Sequence, residues 1–308
     1  MPDIRELQYF IAVAEELHFG RAARRLRVSQ PPLSRGIRRI ERELDRKLFH
    51  RHARGVTLTP DGVVFLEGAR RVISEMDRTV EATIVRTQQS PPSLRVGFTA
   101  YSRAAVLSRI VRSFSAARPD VRIDLIEDSS SGNFTSVKNG KLDVALVSGS
   151  PAWISTSQLI TTAVWSEPMF AAVPPSHPLA VRKSIGLGRL AGEAIILFPE
   201  RLAPGFHSEI MAACREAGFI PCVLRALAGY EPILEAVRDG TGISLVPASV
   251  RSLADSGIVF RRLPTIELRA TISAICRVEA REAAREFMDA AAKVSQIASR
   301  RQPHGRDN

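Results

Sequence analysis

Cysteine is scarce in this chain: Cys214, Cys222 and Cys276 are the only three in 308 residues, scattered and odd in number. That usage argues against a disulfide framework and offers no metal-binding spacing. Long hydrophobic runs are also missing. No stretch reaches the roughly 18 apolar residues a membrane helix needs, so none is expected. The opening residues MPDIRELQYFIAVAEELHFGR place no cationic segment ahead of an apolar core. A secretory signal is therefore not expected, and cytoplasmic residence is. Enzyme signatures are lacking too: no nucleophile elbow, glycine-rich phosphate loop, HExxH or paired catalytic carboxylates. The six histidines show no ligand spacing. The expectation is a protein that is not an enzyme and needs neither cofactor nor metal.

What is present is positive charge in one place. The chain carries a formal +11. Between Gly20 and Gly55 there are twelve Lys and Arg against three Asp and Glu, a net +9. Dispersed charge serves solubility, whereas a concentrated block marks a surface for a polyanion.

Periodicity gives that block a shape. Leu7, Phe10, Ile11, Ala14 and Leu17 fall on one helical face across roughly residues 4–17. A second short helix fits Arg21–Leu26. Pro31 and Pro32 break it and suit the first turn of a third helix, which starts at Ser29 or Gln30 and runs to about Leu44. Leu33, Ile37, Ile40 and Leu44 make a buried stripe on it, and Arg35, Arg38, Arg39 and Arg42 a separate basic stripe. A helix fits the major groove of B-DNA, and in helix-turn-helix proteins the start of the second helix of the motif meets the bases. Gln30, Pro31, Pro32, Ser34 and Arg35 occupy that start. Val56–Leu58 reads as a short strand of a β-wing whose arginines, Arg54 among them, reach the DNA backbone or minor groove. A solvated, arginine-rich helix is the plain alternative for any one of these features; their order along the chain favours DNA.

Thr59 can cap a helix beginning at Pro60. No proline interrupts it to about Gln89, a span of about 45 Å at 1.5 Å per residue. Val72, Met76, Val80 and Ile84 repeat every four residues, with Phe65, Ala69 and Ile73 beside them. Such stripes need a partner, most simply the same helix of a second subunit. Ser90–Ser93 then marks a boundary. Beyond it, strands near 94–98, 121–126 and 144–147 alternate with helices near 103–117 and 137–140. A second set has strands near 169–173, 194–197, 223–226 and 243–246, with helices near 208–217 and 232–238. This alternation indicates βαβ units and a mostly parallel sheet. Ligands bind beyond the carboxyl ends of such strands. Here those ends carry Thr99, Ala100, Tyr101, Ser102, Ser129, Ser130, Ser148 and Pro247, several at helix starts whose free N–H groups suit an anion.

The segments Leu7-Gln8-Tyr9-Phe10-Ile11-Ala12-Val13-Ala14-Glu15, Ala22-Ala23-Arg24-Arg25-Leu26, Ser29-Gln30-Pro31-Pro32-Leu33-Ser34-Arg35 and Leu58-Thr59-Pro60-Asp61-Gly62 resemble the LysR-type transcriptional regulators. The likeness continues through Ser176-His177-Pro178-Leu179 and Gly240-Thr241-Gly242-Ile243-Ser244-Leu245-Val246-Pro247, and so covers most of the chain. The Gln30–Arg35 wording is nearest the subgroup that answers to intermediates of aromatic degradation. The resemblance implies an α/β protein: a winged helix-turn-helix over residues 1–59, a dimerisation helix over 60–89 and a periplasmic-binding-protein-like sensor over 90–308. The sensor's subdomains would cover about 90–162 with 267–308, and 163–266. Double-stranded promoter DNA, RNA polymerase, a small-molecule effector and further copies of the chain, as a homodimer or homotetramer that bends DNA, are the implied partners. The resemblance implies DNA contacts from Gln30, Pro31, Ser34, Arg35 and Arg54; the helix start adds Pro32, and the basic stripe Arg38 and Arg39. Effector contacts map to Ala100, Tyr101 and Ser130, with Phe206 as an aromatic lining position. Ala100 stands where a hydroxyl is expected and Ser148 where relatives have arginine. Both departures weigh against a muconate-type dicarboxylate and leave an aromatic or other organic acid as the expected effector.

Overall fold

A computed structural model describes residues 2–52, 55–88, 92–254, 257–264 and 268–301. The chain divides into two compact units, residues 1–92 with 138–141, and residues 93–137 with those from 142 onward.

In the first unit α1 (Ile4–Glu16), α2 (Phe19–Arg25) and α3 (Gln30–Leu44) precede a hairpin of β1 (Phe49–His52) and β2 (Gly55–Leu58), followed by α4 (Pro60–Gln88). Asp3 and Glu6 form a capping box at the start of α1. Thr59 caps α4 by accepting the Gly62 N–H at 2.9 Å. The second helix begins at Phe19, two residues earlier than its sequence suggests. His18 is the cause: its Nδ1 accepts the Gly20 N–H at 3.0 Å, a role usually taken by Ser, Thr, Asp or Asn. Leu33, Ile37 and Ile40 are fully buried, each stabilising the unit by about 1.5–3 kcal/mol. Leu44 departs from its expected stripe and is 41% exposed. The helix ends there, and the chain turns through Asp45 in the left-handed conformation (φ 50°). Phe10 packs against Phe49 and Phe65 at ring distances of 5.0 and 4.9 Å, joining α1, the hairpin and the first turns of α4.

The second unit is built on nine strands among the described residues, β3 to β11. β3 (Ser93–Phe98) lies between β4 (Arg122–Glu127) and β5 (Val144–Ser148), both parallel to it. The 15-residue β6 (Leu159–Val173) joins this half to a second, in which β7 (Ala194–Leu197) runs parallel to β8 (Cys222–Ala226) and β9 (Ile243–Pro247). β10 (Val259–Arg262) pairs antiparallel with the end of β6, and β11 (Arg269–Arg277) returns antiparallel between β5 and the start of β6. Only the last five residues of β6 were legible in the sequence as a strand.

The helix expected over 103–117 begins sooner. α5 (Ala100–Ser102) passes through a π-helical stretch, Arg103–Leu107, into α6 (Ser108–Ala117). α7 (Ser130–Lys138) follows β4, and the short α8 (Pro151–Ile154) follows β5. In the second half α9 (Pro204–Glu216) and α10 (Tyr230–Arg238) each start before their expected positions. α11 (Glu282–Arg301) closes the chain, with Phe287 packed on Phe114 of α6. Among the described residues no helix is long and apolar enough to cross a membrane.

Candidate functional site

Two surfaces stand out, one in each unit. In the first unit, α3 approaches α1 closely at Gly36, where an added Cβ would lie 3.2 Å from the Tyr9 ring. This contact, with Leu33, Ile37 and Ile40 inward, turns the other side of α3 to solvent. Gln30, Pro31, Arg35, Arg38 and Arg39 are exposed there, and Pro32 and Ser34 half-buried. Arg35 and Arg38 make no ion pair among the described residues. Arg39 differs: its guanidinium lies 3.1 Å from Glu43 and 3.4 Å from Glu6. Arg54 lies outside the described residues.

Glu41 was counted only as one negative charge in the basic block. It is buried, and its carboxylate accepts the N–H groups of Leu48 at 3.0 Å and Phe49 at 3.4 Å. It thereby fixes the path from α3 into the hairpin, with Lys47 and Arg51 at 3.8 and 3.6 Å. Gly55 holds the other side. Its φ of +152° and the 2.7 Å that would separate an added Cβ from the Leu17 carbonyl leave no room for a side chain. The Val56 N–H donates to that same carbonyl at 3.1 Å.

In the second unit a cavity of about 430 Å³ opens between the two halves of the sheet. Of the residues the sequence offers as effector contacts, Thr99, Ala100, Tyr101, Ser129, Ser130, Ser148 and Phe206 line it. Ser102 and Pro247 do not. Ser102 is fully buried in a reciprocal cap with Thr99, donating to and accepting from that residue's backbone. Pro247 is buried in β9, opposite Met169. The sequence reading missed much of the second half's contribution, including Leu202, Tyr230 and Ile233. Phe198 and Phe206 stack in parallel, 5.4 Å apart and 4° from coplanar. Tyr101 and Tyr230 meet edge to face at 6.1 Å.

One buried carboxylate also escaped the sequence reading. Glu167 of β6 accepts the Tyr101 hydroxyl at 2.7 Å, and the Ser249 hydroxyl and N–H at 2.6 and 3.1 Å. Burial, and then the Glu167 charge, push the Tyr101 phenol well above its ordinary range, so it stays protonated and donates. A second cavity of about 310 Å³ adjoins the first, and Ser130 and Ser148 line both. The Ser130 hydroxyl accepts the Ser148 N–H at 2.9 Å. Among the described residues no cluster of three His, Cys, Asp or Glu is arranged to hold a metal ion.

Comparison with known proteins fits both surfaces. Residues 4–63 match the family model for the bacterial regulatory helix-turn-helix protein of the lysR family, and residues 87–296 match the LysR substrate binding domain. The transcriptional regulator AlsR of Bacillus subtilis is 34% identical over 268 residues, 87% of this chain and 88% of AlsR. The regulator BenM of Acinetobacter baylyi is 34% identical over 253 residues, 82% of each. The crystal structure of CbnR, a LysR family regulator, superposes with a TM-score of 0.64 at 26% identity, covering 95% of this chain and 99% of CbnR. Full-length CbnR in complex with its target DNA aligns with a TM-score of 0.56 over the same shares of the two chains. The chain belongs to the LysR family of DNA-binding transcriptional regulators, with a helix-turn-helix at its N-terminus and an effector-binding domain behind it.

Proposed function

We propose that this regulator reads promoter DNA through Gln30, Pro31, Pro32, Ser34 and Arg35 at the start of α3, with Arg38, Arg39 and Arg54 on the phosphates. The carrying observation is the two-faced α3: three fully buried aliphatic residues inward, and exposed Arg35 and Arg38, without an ion pair among the described residues, outward. Arg and Gln side chains can form bidentate bonds with guanine and adenine. Residues 1–59 form the DNA-binding domain in this reading, 60–89 the dimerisation helix and 90–308 the effector domain. The effector domain's subdomains cover about 90–162 with 267–308, and 163–266. The dimer is supported by α4: Phe65 and Ile73 pack on the helix-turn-helix core, while Val64, Val72, Met76 and Val80 face outward. Assembly to a tetramer that bends DNA and contacts RNA polymerase extends the same reading.

A small effector binds in the cleft between the two halves. Its binding shifts the oligomer only in so far as it prefers one arrangement over another. The stacked Phe198 and Phe206 support an aromatic effector. The anionic character expected from the helix starts has no matching Lys, Arg or His in the lining of the cleft. The experiment is a titration of fluorescent DNA from upstream of the protein's own gene, with and without Arg35→Ala. Loss of discrimination against base-substituted sites supports direct readout; equal loss on random DNA makes Arg35 a phosphate contact and overturns that assignment.

A further inference from the structure

The two cavities meet at Ser130 and Ser148, which line both. The front chamber is aromatic at one end, with Phe198 stacked on Phe206 and Tyr101 against Tyr230. The rear chamber has a mostly apolar wall, with Phe134, Trp153 and Ile154 in it, and carries the hydroxyls of Thr135, Ser155, Thr156 and Ser208 beside the shared Ser130 and Ser148. Among the described residues the hydroxyls of Thr135, Ser148, Ser155, Thr156 and Ser208 make no side-chain hydrogen bond to the protein, so they are available to a ligand. A tail with an apolar stem and one terminal group that donates and accepts hydrogen bonds would suit both the wall and these hydroxyls.

Charge decides what the tail cannot be. Neither lining contains Lys, Arg or His, and the front chamber carries Glu127 and Asp128. Arg103 beside it is engaged by Glu127 at 2.9 Å. Behind Tyr101 sits the buried Glu167 carboxylate. A carboxylate entering either cavity would meet no cationic side chain. The helix starts offer it less than their sequence suggests, since the Ser102 and Gly132 N–H groups already donate to the Thr99 and Ser129 hydroxyls. The field of Glu127 and Asp128 then disfavours it. We propose that the effector is an elongated aromatic molecule with no negative charge, its ring in the front chamber and a hydroxyl- or amine-bearing tail running past Ser148 into the rear one. The inference rests on the reading of the cleft as the effector site and names the chemistry that site takes.

The test is thermal unfolding of the full chain with three probes that share a ring and chain length: 4-phenylbutan-1-ol, 4-phenylbutylamine and 4-phenylbutyrate. Benzyl alcohol serves as the short control. The alcohol and the amine should raise Tm at concentrations about tenfold lower than the acid requires. Ser208→Phe, which fills the rear chamber, should weaken the long probes about tenfold and leave benzyl alcohol nearly unchanged. Ser208→Leu replaces it if the larger residue lowers the unliganded Tm. Stabilisation by the acid equal to that by the alcohol, or no stabilisation by alcohol or amine at about 10 mM, overturns the proposal. Ala100→Trp separates the two levels of the argument. If it leaves every shift intact, the probes bind elsewhere and the cleft reading fails. If the acid binds best and Ala100→Trp abolishes it, the cleft reading stands and the charge inference falls.

Discussion

Arg35 and Arg39 are one helical turn apart on α3 and should behave differently. Arg35 is free of protein partners among the described residues, whereas Arg39 is held by Glu43 at 3.1 Å and Glu6 at 3.4 Å. Arg35→Ala should cost about 1–3 kcal/mol of discrimination between sites. Arg39→Ala should weaken specific and random DNA alike, and by less than Arg35→Ala weakens the specific site. Competition binding with single-base variants of the site separates the two outcomes. A second residue-scale prediction concerns Asp143, just before β5. Burial alone would raise its pKa. The Arg95 N–H bond at 2.9 Å and the charges of Arg281 and Arg95 outweigh burial and hold the carboxyl below its ordinary 3.8. A depressed carboxyl pKa contributes stability that is present above 3.8 and is lost as the pH falls through the folded value. Asp143→Asn should therefore lower stability at pH 7 by about 1–3 kcal/mol, because Arg281 is half exposed and screens part of the effect. The gap between wild type and variant should close below pH 3.8. A gap that stayed constant across an acid titration of Tm would mean that Asp143 does not act through its charge.

At the scale of elements, legibility followed locality. The two stripes of α3 and the cap at Thr59 depend on residues within a few positions of one another, and periodicity reads them directly. Glu41 did not read that way. A Glu on a basic helix is ordinarily solvated, and only the turn at Asp45 brings Leu48 and Phe49 N–H groups onto its carboxylate. β1 was illegible for a similar reason, since His50, Arg51 and His52 carry no apolar alternation and the strand exists by pairing with β2. Gly55→Ala probes that hairpin: its Cβ would meet the Leu17 carbonyl, so it should cost about 1–3 kcal/mol and weaken DNA binding through the wing. Chemical denaturation and DNA titration of one preparation measure both effects. α4 carries the prediction for assembly. Val72 and Val80 are exposed, and replacing both by Glu should turn dimers into monomers in sedimentation without changing the Tm of the effector domain. Unchanged sedimentation would remove α4 from the dimer interface.

For the whole molecule, the cleft proposed to hold the effector was half legible. Its first side lies at strand ends that follow one another closely, Thr99–Tyr101, Ser129–Ser130 and Ser148. On its second side only the strand end at Phe198 and the aromatic Phe206 were legible; Leu202, Tyr230 and Ile233 are brought opposite by the order of strands in the sheet, a long-range property that no local pattern encodes. Glu167 tied Tyr101 to Ser249 across that sheet for the same reason. The basic block, by contrast, was visible as charge alone, and it supports the most direct test of the account. Affinity of the full chain for DNA upstream of its own gene, and for a scrambled duplex, should be measured between about 50 and 200 mM salt. The account predicts that affinity falls about 10³-fold or more over that range, that the upstream site is bound at least about 10³-fold more tightly than the scrambled one, and that Arg35→Ala lowers this ratio by about 5- to 150-fold while leaving the salt slope nearly intact. Equal affinity for the two duplexes, or affinity that does not change with salt, would contradict it.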